Sequence, residues 1–289
     1  MEYQIRQFSL YAEGILKHLT SGTVHSVYRR TINLTDGKQI LSLQAEGSPL
    51  SPISLISGLS AEDMDSLHIR SGDPVHFTGD GFTLPGSFEA RDAVHHFTCA
   101  NARRYDLKLS GPLDNTARLS LASAIRTALS YTSTGGFALL FSEKETETDD
   151  LSFILFAARN YILHCNELCL RRDYREAALT LSRLLGLGTG LTPSGDDFLC
   201  GVLAGLHLAG KDGHSFTQFL RSMIAARLSD TIDISAAFLS CALENQFSLP
   251  VNSLCCPLTP EEILSSFEEI GHSSGTDTLC GILWSLRHI

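Results

Sequence analysis

Two short segments of this chain put carboxylates at the start of what reads as a helix. Ser194-Gly195-Asp196-Asp197-Phe198-Leu199-Cys200-Gly201-Val202-Leu203 aligns with Ser274-Gly275-Thr276-Asp277-Thr278-Leu279-Cys280-Gly281-Ile282-Leu283 at a constant offset of 80 residues. In each copy Ser-x-x-Asp leads into apolar residues spaced i, i+3, i+4, i+7: Leu199, Val202, Leu203, Leu206 and Leu279, Ile282, Leu283, Leu286. That is the period of an amphipathic helix. Two polar helix starts of one design could form a single site in which Asp196, Asp197 and Asp277 carry the chemistry. Three roles are open to these carboxylates. Asp196 and Asp197 could hold Mg²⁺, since hard cations favour oxygen ligands. The carboxylates could accept hydrogen bonds from a substrate NH₂ or amide group. They could also act as acid and base, provided burial or mutual repulsion raises a pKa.

A simpler account competes for part of the pattern. Ser-x-x-Asp is a capping box, in which the serine accepts from the N3 amide and the N3 carboxylate turns back to the N-cap amide. Each box is worth about 1 kcal/mol without any function. Gly201, Gly205 and Gly281 then only let helices pack closely. Capping does not account for the approach to the first copy, Gly186-Leu-Gly188-Thr-Gly190-Leu-Thr192-Pro193. Glycines permit positive φ and close approach to the backbone, and a helix N-terminus favours an anion. Gly188, Gly190, Thr192, Pro193, Ser194 and Gly195 are therefore the expected substrate-binding residues, with Ser274 and Gly275 from the second copy.

Gly190-x-x-x-x-Gly195 also fits the opening of a P-loop. The lysine and the Ser/Thr that should follow are Asp196 and Asp197, which reverses the charge, so a Walker-type site is rejected. Cations for an anionic ligand are sought at Arg29 and Arg30, because arginine grips carboxylate and phosphate with a bidentate fork. Arg227, and His272 beside the second copy, are weaker candidates. No nucleophile elbow, zinc helix or dinucleotide glycine fingerprint is found.

The elements that must position these residues divide the chain in two. Residues 1–112 read as β-rich. Thr23–Leu34 reads as one strand, Asp36-Gly37 as a turn and Gln39–Leu43 as the returning strand. Short strands follow at Ile53–Ile56, Pro74–Phe77, Gly81–Leu84 and His95–Cys99, the density of a small sandwich or barrel-like module. Residues 113–289 read as helical, from Thr116 through Leu151–Leu170, Tyr174–Leu185 and segments near 195–209, 214–228, 231–243, 260–270 and 275–287. The run Glu143–Asp150 reads as a solvated acidic loop. The fold class is thus α+β, a β-rich module followed by a helical assembly carrying an internal motif repeat.

Composition closes off several functions. The 289 residues carry a formal net charge of −10, which argues against a general nucleic-acid partner. No apolar run is long enough for a membrane span and no basic-then-apolar leader is visible, so the expected location is the cytoplasm. The eight cysteines are scattered through apolar runs and read as reduced core residues. Cys165 and Cys169, with His164 beside them, lack the second ligand pair that a zinc site needs.

Gly188-Thr-Gly-Leu-Thr-Pro-Ser-Gly-Asp-Asp-Phe-Leu-Cys-Gly201, Gly271-His-Ser-Ser-Gly-Thr-Asp-Thr-Leu-Cys-Gly281 and Val24-His-Ser-Val-Tyr-Arg-Arg30 give the chain a further resemblance. It resembles a bacterial family, once grouped as a domain of unknown function with members labelled carboxylases. That family includes the AllH-type subunit of oxamate carbamoyltransferase from allantoin (purine) breakdown. The resemblance implies FdrA-like and AllG-like partner subunits and phosphorolysis of oxalurate to oxamate and carbamoyl phosphate. It carries Gly188, Gly190, Thr192–Asp197, Ser274, Gly275 and Asp277 as site positions, without roles. The Ser-Thr-Arg-Thr segment by which aspartate and ornithine carbamoyltransferases hold carbamoyl phosphate is absent, so any carbamoyl transfer here uses a different site or a partner. The leading expectation is an enzyme subunit that binds a small anionic substrate. The alternatives are a scaffold subunit of an FdrA-containing complex, or a stand-alone metal-dependent enzyme acting on a small carboxylate.

Overall fold

The computed structural model describes residues 1–86, 94–133, 135–141 and 152–289. The acidic run Glu143–Asp150 and Leu151 lie outside the described residues. The chain forms two compact units, Met1–Leu107 and Lys108–Ile289.

The first unit is built from β1 (Glu2–Ser9), α1 (Leu10–His18), β2 (Ser21–Tyr28), β3 (Thr31–Thr35), β4 (Ile40–Gln44), β5 (Ser54–Ser57), α2 (Ala61–Asp65), β6 (Pro74–Phe77), β7 (Gly81–Pro85), β8 (Val94–Thr98) and β9 (Arg103–Tyr105). The strand order is β5-β4-β3-β2-β6-β7-β8-β1-β9, and a further pairing of β5 with β1 closes eight strands into a barrel. β1 is the closing strand: antiparallel to β5 and parallel to both β8 and β9. Closure leaves no free edge among the eight strands, which is how short strands avoid pairing with other chains. Inward residues such as Phe8, Val24, Leu34, Leu43, Val75, Phe82 and Phe97 form the core, where Phe82 and Phe97 stack with centroids 4.9 Å apart.

One expected strand is two. Thr23–Leu34 breaks at Arg29-Arg30, where Tyr28 pairs with Thr31 and Val27 with Ile32 across a two-residue loop. Arginine has no turn signature, and the β-branched residues on both sides conceal the reversal.

The second unit contains α3 (Asn115–Tyr131), α4 (Ala138–Phe141), α5 (Phe153–Leu170), α6 (Tyr174–Leu181) with a 3-10 turn at Ser182–Leu184, and α7 (Ser194–Leu208). α8 (Ser215–Ala226), a 3-10 turn at Leu228–Asp230, α9 (Asp233–Leu243), α10 (Leu249–Ser253), α11 (Pro260–Glu268) and α12 (Ser274–His288) follow. The two motif copies are α7 and α12, which pack on one another at the centre, with α3 and α11 against α12 and α9 against α7. Every residue of α12 from Gly275 to Leu286 is buried, and Trp284, the only tryptophan, is fixed by its indole N–H donating to Asn166 Oδ1 at 2.8 Å. Among the described residues no helix is long and apolar enough to cross a membrane.

Candidate functional site

Glycine decides how close α7 and α12 come. A Cβ on Gly201 would overlap the carbonyl oxygen of Thr278, and one on Gly281 that of Phe198. Those partners are themselves equivalent positions of the two copies, so the helices are related by a local pseudo-twofold. Further along, Gly205 lies against Ile282 and Ser285, and the Ser285 hydroxyl donates to Val202 O at 3.0 Å. The contacts advance together along both helices, so α7 and α12 run parallel and begin at the same end. Each start is also pressed onto the preceding chain, Gly195 against the Leu184 carbonyl and Gly275 against that of Phe267.

At that shared end the aspartates and serines are exchanged between helices. Ser274 and Thr192 act on Asp197, and Ser194 with Ser273 acts on Asp277, each hydroxyl favouring the charged carboxylate. Thr192 and Ser274 are joined through their own hydroxyls at 2.7 Å. Asp277 is fully buried and its Oδ1 accepts from the Phe137 amide at 2.6 Å. Burial nevertheless dominates. It pushes the Asp277 carboxyl up to about 6 and the Asp197 carboxyl well above the usual range, with the Asp277 charge adding to the latter. Oδ2 of Asp197 and Oδ2 of Asp277 are both shielded from solvent and, among the described residues, have no hydrogen-bond partner of good geometry. Such atoms are costly in a folded protein unless something fills the gap, which is why they mark a site.

The capping expectation is overturned. Pro193 and Ser273 are the N-cap residues, and neither contributes a side-chain cap. The Pro193 carbonyl accepts from the Asp196 and Asp197 amides at 2.9 and 3.2 Å, and the Ser273 carbonyl from the Asp277 amide at 2.8 Å. Ser194 and Ser274 thereby become first-turn residues whose hydroxyls face the neighbouring helix.

Asp196 is placed apart from the other two carboxylates by its partners. Its Oδ1 accepts from the Gly186 amide at 2.7 Å, and its Oδ2 from the hydroxyls of Ser235 and Thr231. It ties the glycine segment and the start of α9 to α7, an arrangement that leaves it no free acceptor of the kind Asp197 retains.

The glycine segment is divided in its roles. Gly186, Gly188 and Gly190 all have positive φ (73°, 142° and 95°). A Cβ on Gly188 would fall 2.6 Å from the Ser194 amide nitrogen, so the chain itself requires glycine there, whereas nothing lies within 4 Å at Gly190. The Gly195 amide donates to Leu187 O at 2.8 Å and is already engaged.

Arg29 and Arg30 belong to the first unit. Arg29 pairs with Glu62 at 3.2 Å, Arg30 donates to Glu46 O at 2.7 Å, and both line a surface cleft of about 410 Å³. Arg227 is occupied by Asp230 at 2.8 Å and by Ser182, and His272 is exposed. Among the described residues no group of three or more His, Cys, Asp or Glu is gathered for a metal. None of the eight cysteines is in a disulfide; burial pushes the thiols of Cys200 and Cys280, another equivalent pair, far up. The residues that sequence reasoning missed are Gly136, Phe137, Thr231 and Ser235. Gly135-Gly136 before a short helix was the available signal for the first pair, a smaller version of the segment before α7.

A closed barrel followed by a helical unit with a duplicated, carboxylate-bearing helix start defines a two-unit α+β protein. Residues 184–286, which contain both motif copies, match the family described as oxamate carbamoyltransferase subunit AllH. Residues 6–95, most of the barrel, match the AllH family N-terminal domain. The two matches span about two thirds of the chain, which belongs to the AllH family. No solved structure matches it.

Proposed function

We propose that this chain supplies the site that holds the carbamoyl-bearing amide in an oxamate carbamoyltransferase, working with FdrA-like and AllG-like subunits. The reaction would be oxalurate plus phosphate to oxamate plus carbamoyl phosphate. The bond between the carbamoyl carbon and the amide nitrogen breaks, a bond from that carbon to a phosphate oxygen forms, and the departing nitrogen takes a proton. Asp197, whose carboxyl burial pushes well above the usual carboxylate range, is suited to give that proton. Asp277, ionised at neutral pH because its carboxyl lies at about 6, is suited to accept a substrate N–H. The paired helix starts favour a substrate carboxylate nearby through their positive ends. The whole would work by orientation and fixed electrostatics.

The observation that carries this reading is a pair of buried oxygens that find no hydrogen-bond partner among the described residues, Asp197 Oδ2 and Asp277 Oδ2. A carboxyl that can give a proton and a carboxylate that can accept a hydrogen bond, at one shared helix end, suit an amide, which offers both an acceptor and N–H donors. A hard divalent cation is the other ligand such oxygens suit; it would draw on Asp197 and Asp277, since Asp196 is taken by three protein donors. The test is carbamoyl phosphate formation by the reconstituted subunits. Asp197→Asn, close in shape, should remove turnover from a folded chain that still assembles. Full turnover in that variant would dismiss the catalytic reading in favour of a scaffold subunit.

A further inference from the structure

The aspartate pair is symmetric in sequence but not in its surroundings. Asp277 accepts from a backbone amide that lies outside both helices. The turn between α3 and α4 brings Gly136 and Phe137 onto α12, and the Phe137 amide donates to Asp277 Oδ1 at 2.6 Å. Gly136 has φ of 70°, and a Cβ there would stand 2.5 Å from Asp277 Oδ1 and 2.8 Å from Oδ2. No side chain larger than hydrogen leaves room for the carboxylate. The turn is anchored from the other side as well. The Phe137 ring is fully buried and packs on Phe198 of α7 with centroids 5.5 Å apart. One residue thus grips α7 with its ring and the α12 carboxylate with its amide.

The geometry points to Gly136 and Phe137 as positioning residues for the reaction: they fasten one oxygen of Asp277 so that the other, Oδ2, is held open for the substrate amide. A carboxylate on a rotatable bond would otherwise turn to satisfy both oxygens from nearby hydroxyls, and the acceptor would be lost. A short hydrogen bond to Oδ1, with Gly136 close against both oxygens, limits how far the carboxylate can turn and engages only one of its oxygens. The role in turnover rests on the functional reading above; the clamp itself does not.

Two measurements test it. In the full-length wild-type chain, the Phe137 amide proton should shift with pH in step with the Asp277 carboxyl carbon, and that movement should vanish in Asp277→Asn. A Phe137 amide that ignores the state of Asp277 overturns the clamp, and this arm needs no glycine variant to fold. In the reconstituted enzyme, Gly136→Ala should cost roughly a hundredfold in kcat/KM, the scale of an ångström-sized misplacement. Gly135→Ala, at a position with nothing within 4 Å, should keep wild-type turnover. Wild-type kinetics in Gly136→Ala would overturn the positioning role. Should Asp277→Asn itself turn over normally, the functional reading falls, while the amide titration still decides whether the clamp exists.

Discussion

Gly201 and Gly281 face one another across the crossing of α7 and α12, each occupying the space that a side chain would take from the other helix's carbonyl. Alanine at either position must drive the helices apart, against a gain in helix propensity of about 1 kcal/mol. Overpacking of this kind costs about 3 kcal/mol. Gly201→Ala and Gly281→Ala should therefore destabilise by similar amounts in urea denaturation. Gly14→Ala, in α1 with nothing within 4 Å, should be neutral or mildly stabilising. Unequal effects at the two crossing glycines would contradict the pseudo-twofold.

Asp196 and Asp197 are adjacent in sequence and opposite in consequence. Asp196→Ala strands the Gly186 amide and the hydroxyls of Ser235 and Thr231. Losing a buried acceptor shared by three donors should cost about 3 kcal/mol. Asp197→Asn replaces a carboxyl whose charged form burial penalises with a neutral group of the same shape, and should leave the denaturation midpoint unchanged or higher. A strong loss of stability in the Asp197 variant would show that its partnerless oxygen is better satisfied than the structure shows.

Asp277 gives stability a defined pH dependence. Its carboxyl in the folded chain releases the proton near pH 6, against an ordinary value of 3.8. Between those values the folded state binds more protons than the unfolded one, so stability falls as pH rises. The contribution is complete below about pH 4 and lost by about pH 6, and amounts to on the order of 3 kcal/mol. Wild type should therefore lose stability relative to Asp277→Asn across that window. Parallel pH curves for the two chains would refute the raised carboxyl.

Ser194 distinguishes a cap from a cross-helix partner. Removing its hydroxyl in Ser194→Ala takes away a group that favours the charged form of Asp277, so the Asp277 titration should move above about 6. A serine that merely capped its own helix would change stability and leave that titration where it was. Carboxyl-carbon NMR of the variant separates the two.

The helix starts and most strands are legible because local chemistry fixes them: the period of Leu199, Val202, Leu203 and Leu206, and the turn residues between short strands. The N-terminal strand β1 was invisible because Glu2–Ser9 alternates weakly and earns its place through three non-local partners. The site was legible as residue types but not as contacts. Nothing in Ser-x-x-Asp distinguishes a serine that serves its own helix from one that serves a helix 80 residues away. Likewise Asp196 and Asp197 look interchangeable until the folded chain supplies donors to one of them. Phe137 carries no signal in its own side chain, because it acts through a backbone amide that every residue but proline possesses; only the glycines before it mark the place.

A pseudo-twofold site poses a problem of orientation. Were its two halves identical, an unsymmetrical ligand would sit equally well either way round, with the wrong end at the reacting atoms half of the time. Three features break that degeneracy. Thr276 stands where the first copy has Asp196, the glycine-rich approach with Pro193 occurs only before α7, and the Phe137 amide reaches only Asp277. They give the paired helix starts a front and a back, and so a direction in which a substrate can be read.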